Sequence, residues 1–143
     1  MPGDADNAWI VLDNAWVGLG GTPALRGVSW RLRPGEHWAV LGANGAGKST
    51  FLRLVRGDLW PDQNAPHGGG RRLYRLHGAE QESPIGLRRR MGLVSAELQE
   101  RMARHSGHLR LEQAVWTGFF DTPLLYQRPT RAQQERAEEL LAL

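Results

Sequence analysis

Eight residues constrain this chain more than any others: Gly42-Ala-Asn-Gly-Ala-Gly-Lys48-Ser49 fills every fixed position of the pattern G-x-x-x-x-G-K-[ST]. Glycines at these places let the backbone curl so that successive N–H groups point inward, with no Cβ in the way. A helix starting at the loop adds its unpaired amides and its dipole to the same spot. Such a concavity suits a phosphate. Lys48 can reach the β- and γ-phosphates as a compact charge, and the Ser49 hydroxyl is a hard oxygen ligand for Mg²⁺. Thr50 adds a second hydroxyl. A chance match arises in about one per cent of chains this long, and the surroundings argue further against chance. His37-Trp-Ala-Val-Leu41 is an apolar run of strand length, suited to the buried centre of a sheet. Beyond the loop, Ser49–Arg56 carries Phe51, Leu52 and Val55 at helical spacing, and Gly57 stops it.

Lys48 is also the only lysine in a chain that otherwise uses arginine. Phosphate at the floor of a tight loop calls for a compact ammonium rather than a planar fork. The pI of 10.2 accompanies a net charge of only +3. Arginine does not deprotonate in the accessible range, so the pI drifts high without a large charge behind it. No nucleic-acid partner is expected on that ground. Arg71-Arg72-Leu-Tyr-Arg75 and Arg88-Arg89-Arg90 read as a solvated strand edge and a solvated helix face, the other reading being a contact surface for a partner or polyanion.

The length of 143 residues allows one compact domain, and 41% hydrophobic with 23% charged residues is a globular composition. No apolar run approaches the roughly 18 residues of a membrane span. The opening Met1-Pro-Gly-Asp-Ala-Asp6 is acidic and lacks the pattern of a secretory signal, so a soluble intracellular chain is expected. Without cysteine there are no disulfides and no thiolate metal sites. His105 and His108 flank Ser106-Gly107, which argues for a loop, and they read as surface residues.

Patterning assigns strands to Trp9–Leu12, Ala15–Val17 and Val28–Leu32, with a turn at Gly18–Gly21. Arg33–Glu36 is a turn, and Trp60–Gly70 is a loop rich in Pro, Gly, Asp and Asn. Arg71–His77 reads as an exposed strand and Met91–Val94 as another. Ser83-Pro84 predicts a short helix over Pro84–Arg90. Ala96–Arg104 and Leu111–Thr117 are helical by period, and Thr130-Arg-Ala-Gln133 has capping-box spacing before a helix running to Leu143. That helix meets no stop signal, so the chain reads as ending inside a larger unit.

Asn44-Gly-Ala-Gly-Lys-Ser-Thr50, preceded by Leu25-Arg-Gly-Val-Ser-Trp30 and Pro34-Gly-Glu36, resembles the opening of ABC (ATP-binding cassette) ATPases. Met91–Gln99 and Thr117-Gly-Phe-Phe-Asp121 through Leu125-Tyr126 resemble soluble cassette proteins of the ModF or photorepair-associated kind. The resemblance implies an α/β P-loop NTPase fold of ABC type with an N-terminal antiparallel β subdomain and the C-terminal portion of the domain missing. Residues 1–143 would be a partial nucleotide-binding domain, its loop-bearing core at about 1–60 and strand–helix segments at 71–143. ATP and Mg²⁺ are the implied cofactors. Gly42, Asn44, Gly45, Ala46, Gly47, Lys48, Ser49 and Thr50 would hold the nucleotide, with Lys48 also the catalytic cation and Ser49 a metal ligand. The implied setting is the cytoplasm or the inner-membrane periphery. The implied partners are a second nucleotide-binding domain in a dimer and either a membrane permease or, on the soluble-type resemblance, none.

The family stacks adenine on an aromatic residue whose place falls at Leu19 here; Trp16 is the candidate substitute, a buried strand tryptophan being the other reading. Its Mg²⁺-sensing glutamine would fall at Ala96; Gln99 is the nearest glutamine, a solvated helix residue being the other reading. No LSGGQ-like signature, aspartate-ended apolar strand, adjacent glutamate or late histidine follows within 143 residues. ATP hydrolysis is therefore expected of the complete protein, and phosphate binding of this stretch. Two rival readings stay open. One is a small P-loop kinase of a metabolite, a class that usually opens with its loop near about residue 10 and uses an arginine-rich lid. The other is a non-catalytic nucleotide-binding module ending at Leu143.

Overall fold

The computed structural model describes residues 8–76 and 78–143. The acidic opening Met1–Asp6 and His77, the last residue of an expected strand, lie outside them. Two compact units divide the chain, one ending at Ile85 and the other running from Gly86 to Leu143.

The first unit is built on a hairpin of β1 (Ile10–Leu19) and β2 (Thr22–Leu32). Gly20 and Gly21 join them with φ of 56° and 81°. Both values are positive, as the tight turn matching the right-handed twist of two strands requires. β3 (Arg71–Leu76) pairs antiparallel with the start of β1, and β4 (Ala79–Gln81) pairs with β3, giving the order β2-β1-β3-β4.

A bulge decides which side chains share a face. The β1–β2 register shifts between Leu12 and Ala15, where Asn14 has φ 49° and its N–H donates to Ser29 Oγ at 3.0 Å. A regular strand would send Leu12 and Ala15 to opposite faces. The extra residue restores their parity, so Leu12, Ala15 and Val17 form one cluster with Leu25 and Leu54. Ala8, Val11 and Leu73 make a second, smaller cluster.

Leu54 comes from α1 (Lys48–Arg56), the helix following the glycine-rich loop. It is wholly buried, with Phe51, Val55 and Leu59 packed around the same cluster. Gly57 ends the helix at φ 92°, its N–H shared between Arg53 and Leu54 carbonyls at 3.0 and 3.1 Å. A side chain at position 57 would run into Pro84 and the Tyr74 hydroxyl.

Four expectations need correcting. His37–Leu41 is not a buried strand: Trp38 is 57% exposed and Leu41 90% exposed, and none of the four strands pairs with it. An apolar run becomes a strand only when another strand takes its hydrogen bonds, which composition cannot supply. Met91–Val94 fails to become a strand for the same reason. Over Pro84–Arg90 only a single 3-10 turn forms, at Arg88–Arg90, because Ser83 Oγ accepts from Ile85 N–H in a local turn instead of capping a helix. The Arg71–Arg75 cluster is likewise not one solvated edge. Strand alternation turns Arg71 outward to an ion pair with Asp13 at 3.2 Å, whereas Arg72 is 1% exposed.

The second unit contains α2 (Ala96–Ser106), α3 (Leu111–Gly118) and α4 (Arg131–Leu141). Ser95 caps α2 by accepting from Leu98 N–H at 3.1 Å. At α4, Thr130 Oγ1 accepts from Gln133 N–H at 3.3 Å while Gln133 Oε1 accepts from Thr130 N–H at 2.9 Å. Thr117 of α3 and Ala137 of α4 are the buried residues of the two helices. Arg88 forms an ion pair with Asp121 at 2.8 Å, which removes it from the solvated face expected of Arg88–Arg90.

Candidate nucleotide site

The turn at residues 33–36 enters the loop segment and is tied by one carboxylate. Glu36 accepts from Arg33 N–H at 2.9 Å, from the Arg33 guanidinium at 3.3 Å and from Trp38 Nε1 at 3.1 Å. These donors, the backbone one foremost, hold the Glu36 carboxyl below its ordinary value. A carboxylate depressed in the folded state favours folding above its unfolded pKa and loses that contribution as pH falls through the folded value. The turn should therefore stay closed through neutral pH and open only in acid, below the usual glutamate range. NMR titration of the Glu36 carboxyl checks this; a midpoint at or above that of a free glutamate would contradict it.

Gly42, Gly45 and Gly47 carry the loop at φ 157°, 81° and 85°. Gly47 also requires closeness: an added Cβ would lie 2.8 Å from the Ala24 carbonyl oxygen and 3.1 Å from Leu25 Cδ2. The loop thus rests against the start of β2. Phe51 N–H to Gly47 O, at 2.8 Å, is the first bond of the helical ladder. The N–H groups of Lys48, Ser49 and Thr50 belong to the first turn and lack intrahelical acceptors. No acidic side chain occupies that turn.

Lys48 folds back over the loop. Its Nζ donates to Gly42 O at 2.9 Å and to Ala43 O at 2.8 Å. Those carbonyls satisfy the ammonium, and phosphate oxygens are stronger acceptors for the same charge. The donor set therefore fits a phosphate chain, and the Ser49 hydroxyl at the helix start fits a hard, oxygen-seeking cation. Lys48 and Asn44 through Thr50 come together as one contiguous cradle.

Trp16 stands apart in β1. Its indole lies beside Gly27, where an added Cβ would sit 3.6 Å from Nε1. With Thr22, Pro23, Leu25 and Arg26 it lines a cleft of about 400 Å³. Leu25 is shared between that cleft and the contact with Gly47. Gln99 is exposed on α2 in the second unit, its N–H donating to Ser95 O at 3.0 Å.

Sequence reasoning missed the supports of the cradle. Ala24 and Leu25 back Gly47, and nothing in their identity announces it. Arg72 and Tyr74 reach the other end of α1: Arg72 Nη1 donates to Leu54 O at 2.8 Å and also to Leu59 O, and Tyr74 Oη donates to Val55 O at 2.8 Å. Burial pushes the Arg72 guanidinium below its ordinary pKa. The available signal was their spacing of two in a strand, which puts both on one face.

Comparison with known proteins gives the family. Residues 25–142 match the family model described as ABC transporter. The ABC transporter ATP-binding protein ModF of Escherichia coli K12 is 31% identical over 96% of this chain and 26% of its own length. An uncharacterized ABC transporter ATP-binding protein, YmeB, of Lactococcus lactis is 31% identical over 82% of this chain and 42% of its own. A putative ABC transporter ATP-binding protein of Streptococcus mutans is 26% identical over 95% and 49%. The chain thus spans less than half the length of these relatives. Among the described residues no helix is long and apolar enough to cross a membrane. With its glycine-rich cradle at the head of α1 and an antiparallel sheet beside it, the chain belongs to the ABC transporter family of P-loop ATP-binding proteins.

Proposed function

We propose that this chain binds ATP with Mg²⁺ at Gly42–Thr50 and forms the phosphate-holding part of an ABC-type ATPase whose hydrolysis requires further segments. The observation that carries the reading is Lys48 Nζ held above the loop by two carbonyls that a phosphate can replace. In this reading Lys48 swings from Gly42 O and Ala43 O to the β- and γ-phosphate oxygens. The first-turn amides bind the β-phosphate along the helix dipole. The Ser49 hydroxyl would be the ligand this unit offers the metal, and Gln99 is only the candidate glutamine that the family resemblance implies. Bound Mg²⁺ supplies charge neutralisation of the terminal phosphates. Trp16 offers the adenine its aromatic face at the cleft it shares with Leu25. A second nucleotide-binding domain would close over the nucleotide in a dimer, and a membrane permease is the partner that transport would require. The site would then work on the cytoplasmic side, where ATP is available.

Equilibrium titration with ATP, with and without Mg²⁺, tests the reading. Saturable binding tightened by Mg²⁺ is expected, and absence of binding would overturn it. Trp16→Ala should weaken ATP more than inorganic triphosphate, since adenine stacking is worth about 1–3 kcal/mol. Equal losses for both ligands would remove Trp16 from the site. Turnover stimulated by a small acceptor would favour the rival reading as a metabolite kinase.

A further inference from the structure

A helix that presents a phosphate cradle at one end must be held at the other. The N-terminal end of α1 rests on β2 through Gly47, whose α-carbon approaches the Ala24 carbonyl too closely for a side chain. The C-terminal end is gripped from β3. Leu54 and Val55 lie in the last turn, where the helical ladder ends and Leu54 O keeps only a share of the Gly57 N–H, at 3.1 Å. Arg72 Nη1 supplies a donor to Leu54 O at 2.8 Å and reaches Leu59 O just past the helix. Tyr74 Oη supplies one to Val55 O at 2.8 Å. Both side chains are 1% exposed. The Arg72 guanidinium is also packed between aromatic rings, 5.0 Å from the centre of Trp60 and 5.1 Å from that of Tyr74.

A buried guanidinium is a costly way to fill space, and an aliphatic side chain would pack a strand face without that cost. What an aliphatic residue cannot do is grip two carbonyls at once, one inside the helix and one beyond it. We propose that Arg72, with Tyr74, is a positioning residue for the nucleotide: it fixes the height and tilt of α1 and so the placement of Lys48 and the first-turn amides. This rests on the reading of Gly42–Thr50 as the phosphate site. The helix spans nine residues, about 13 Å, and acts as a short rigid lever between the two grips. A guanidinium at its C-terminal end also opposes the negative pole of the dipole without touching the positive pole that faces phosphate.

The test is ATP–Mg²⁺ affinity of Arg72→Met, Arg72→Lys, Tyr74→Phe and Val11→Ala, each measured where circular dichroism shows the protein folded. Val11 belongs to the cluster with Ala8 and Leu73 and serves as a control for lost stability alone. Arg72→Met should weaken affinity about tenfold, and Tyr74→Phe about threefold. Arg72→Lys should recover part of the loss, because an ammonium reaches one carbonyl but cannot fork. Val11→Ala should melt earlier yet bind as the parent does. Parent-like affinity in Arg72→Met and Tyr74→Phe overturns the proposal, and so does an equal loss in Val11→Ala. If Arg72→Met does not fold, Tyr74→Phe decides alone, since it removes one hydroxyl and no packing. Lys48→Ala separates the two claims. Parent-like binding there overturns the phosphate site and the clamp together. Loss there with parent-like binding in the β3 variants overturns only the clamp.

Discussion

Lys48→Ala is expected to reduce ATP affinity by about a hundredfold or more while leaving the fold intact. The ammonium makes its two hydrogen bonds within the loop itself, to Gly42 O and Ala43 O, and Lys48 is not one of the buried residues of the core. Its removal therefore costs little folded-state energy, within about 0.5 kcal/mol as for other surface changes. In the bound state the same ammonium would face two phosphates, and each charge-assisted bond contributes roughly 1.5–3 kcal/mol. Lys48→Arg should not restore affinity, because a planar fork is too large for a loop closed by Gly42, Gly45 and Gly47. Calorimetric titration measures the first quantity and thermal melting the second. Unchanged affinity in Lys48→Ala would remove the loop from the account.

Leu54→Ala should be the most damaging single change to the first unit. Leu54 is the only residue of α1 that is fully buried, and it joins the helix to Leu12, Ala15, Val17 and Leu25 of the hairpin. Truncating such a leucine costs about 2–5 kcal/mol, depending on how far the site collapses. That is a large part of the roughly 5–15 kcal/mol that stabilises a typical domain. Urea denaturation should show a lower midpoint, and ATP affinity should fall with it because an undocked α1 cannot present its amides. A loss below about 1 kcal/mol would mean that α1 is held by something other than this cluster.

The family was legible in the Gly42–Ser49 motif because that motif is local in sequence. Gly42, Gly45, Gly47, Lys48 and Ser49 must be near one another along the chain for the loop to exist, so their spacing carried the information. The cap at Gly57, the capping box at Thr130 and Gln133, and the hairpin turn are local in the same sense. Non-local features were not readable. His37–Leu41 has the composition of a buried strand, but strand pairing depends on a partner far away in sequence, and Leu41 stands exposed. Arg72 looked like one more solvated arginine, since nothing in Arg71-Arg72-Leu-Tyr-Arg75 states that helix carbonyls wait on one side of β3. The Asn14 bulge joined two short expected strands into one and set the parity of the core face.

The central claim concerns where ATP touches the chain, and backbone amide NMR reads that directly. On addition of ATP and Mg²⁺, the account predicts the largest amide shifts at Gly45–Thr50, with the Lys48 side chain changing alongside them. Shifts concentrated elsewhere, with Gly45–Thr50 unmoved at saturation, would contradict it.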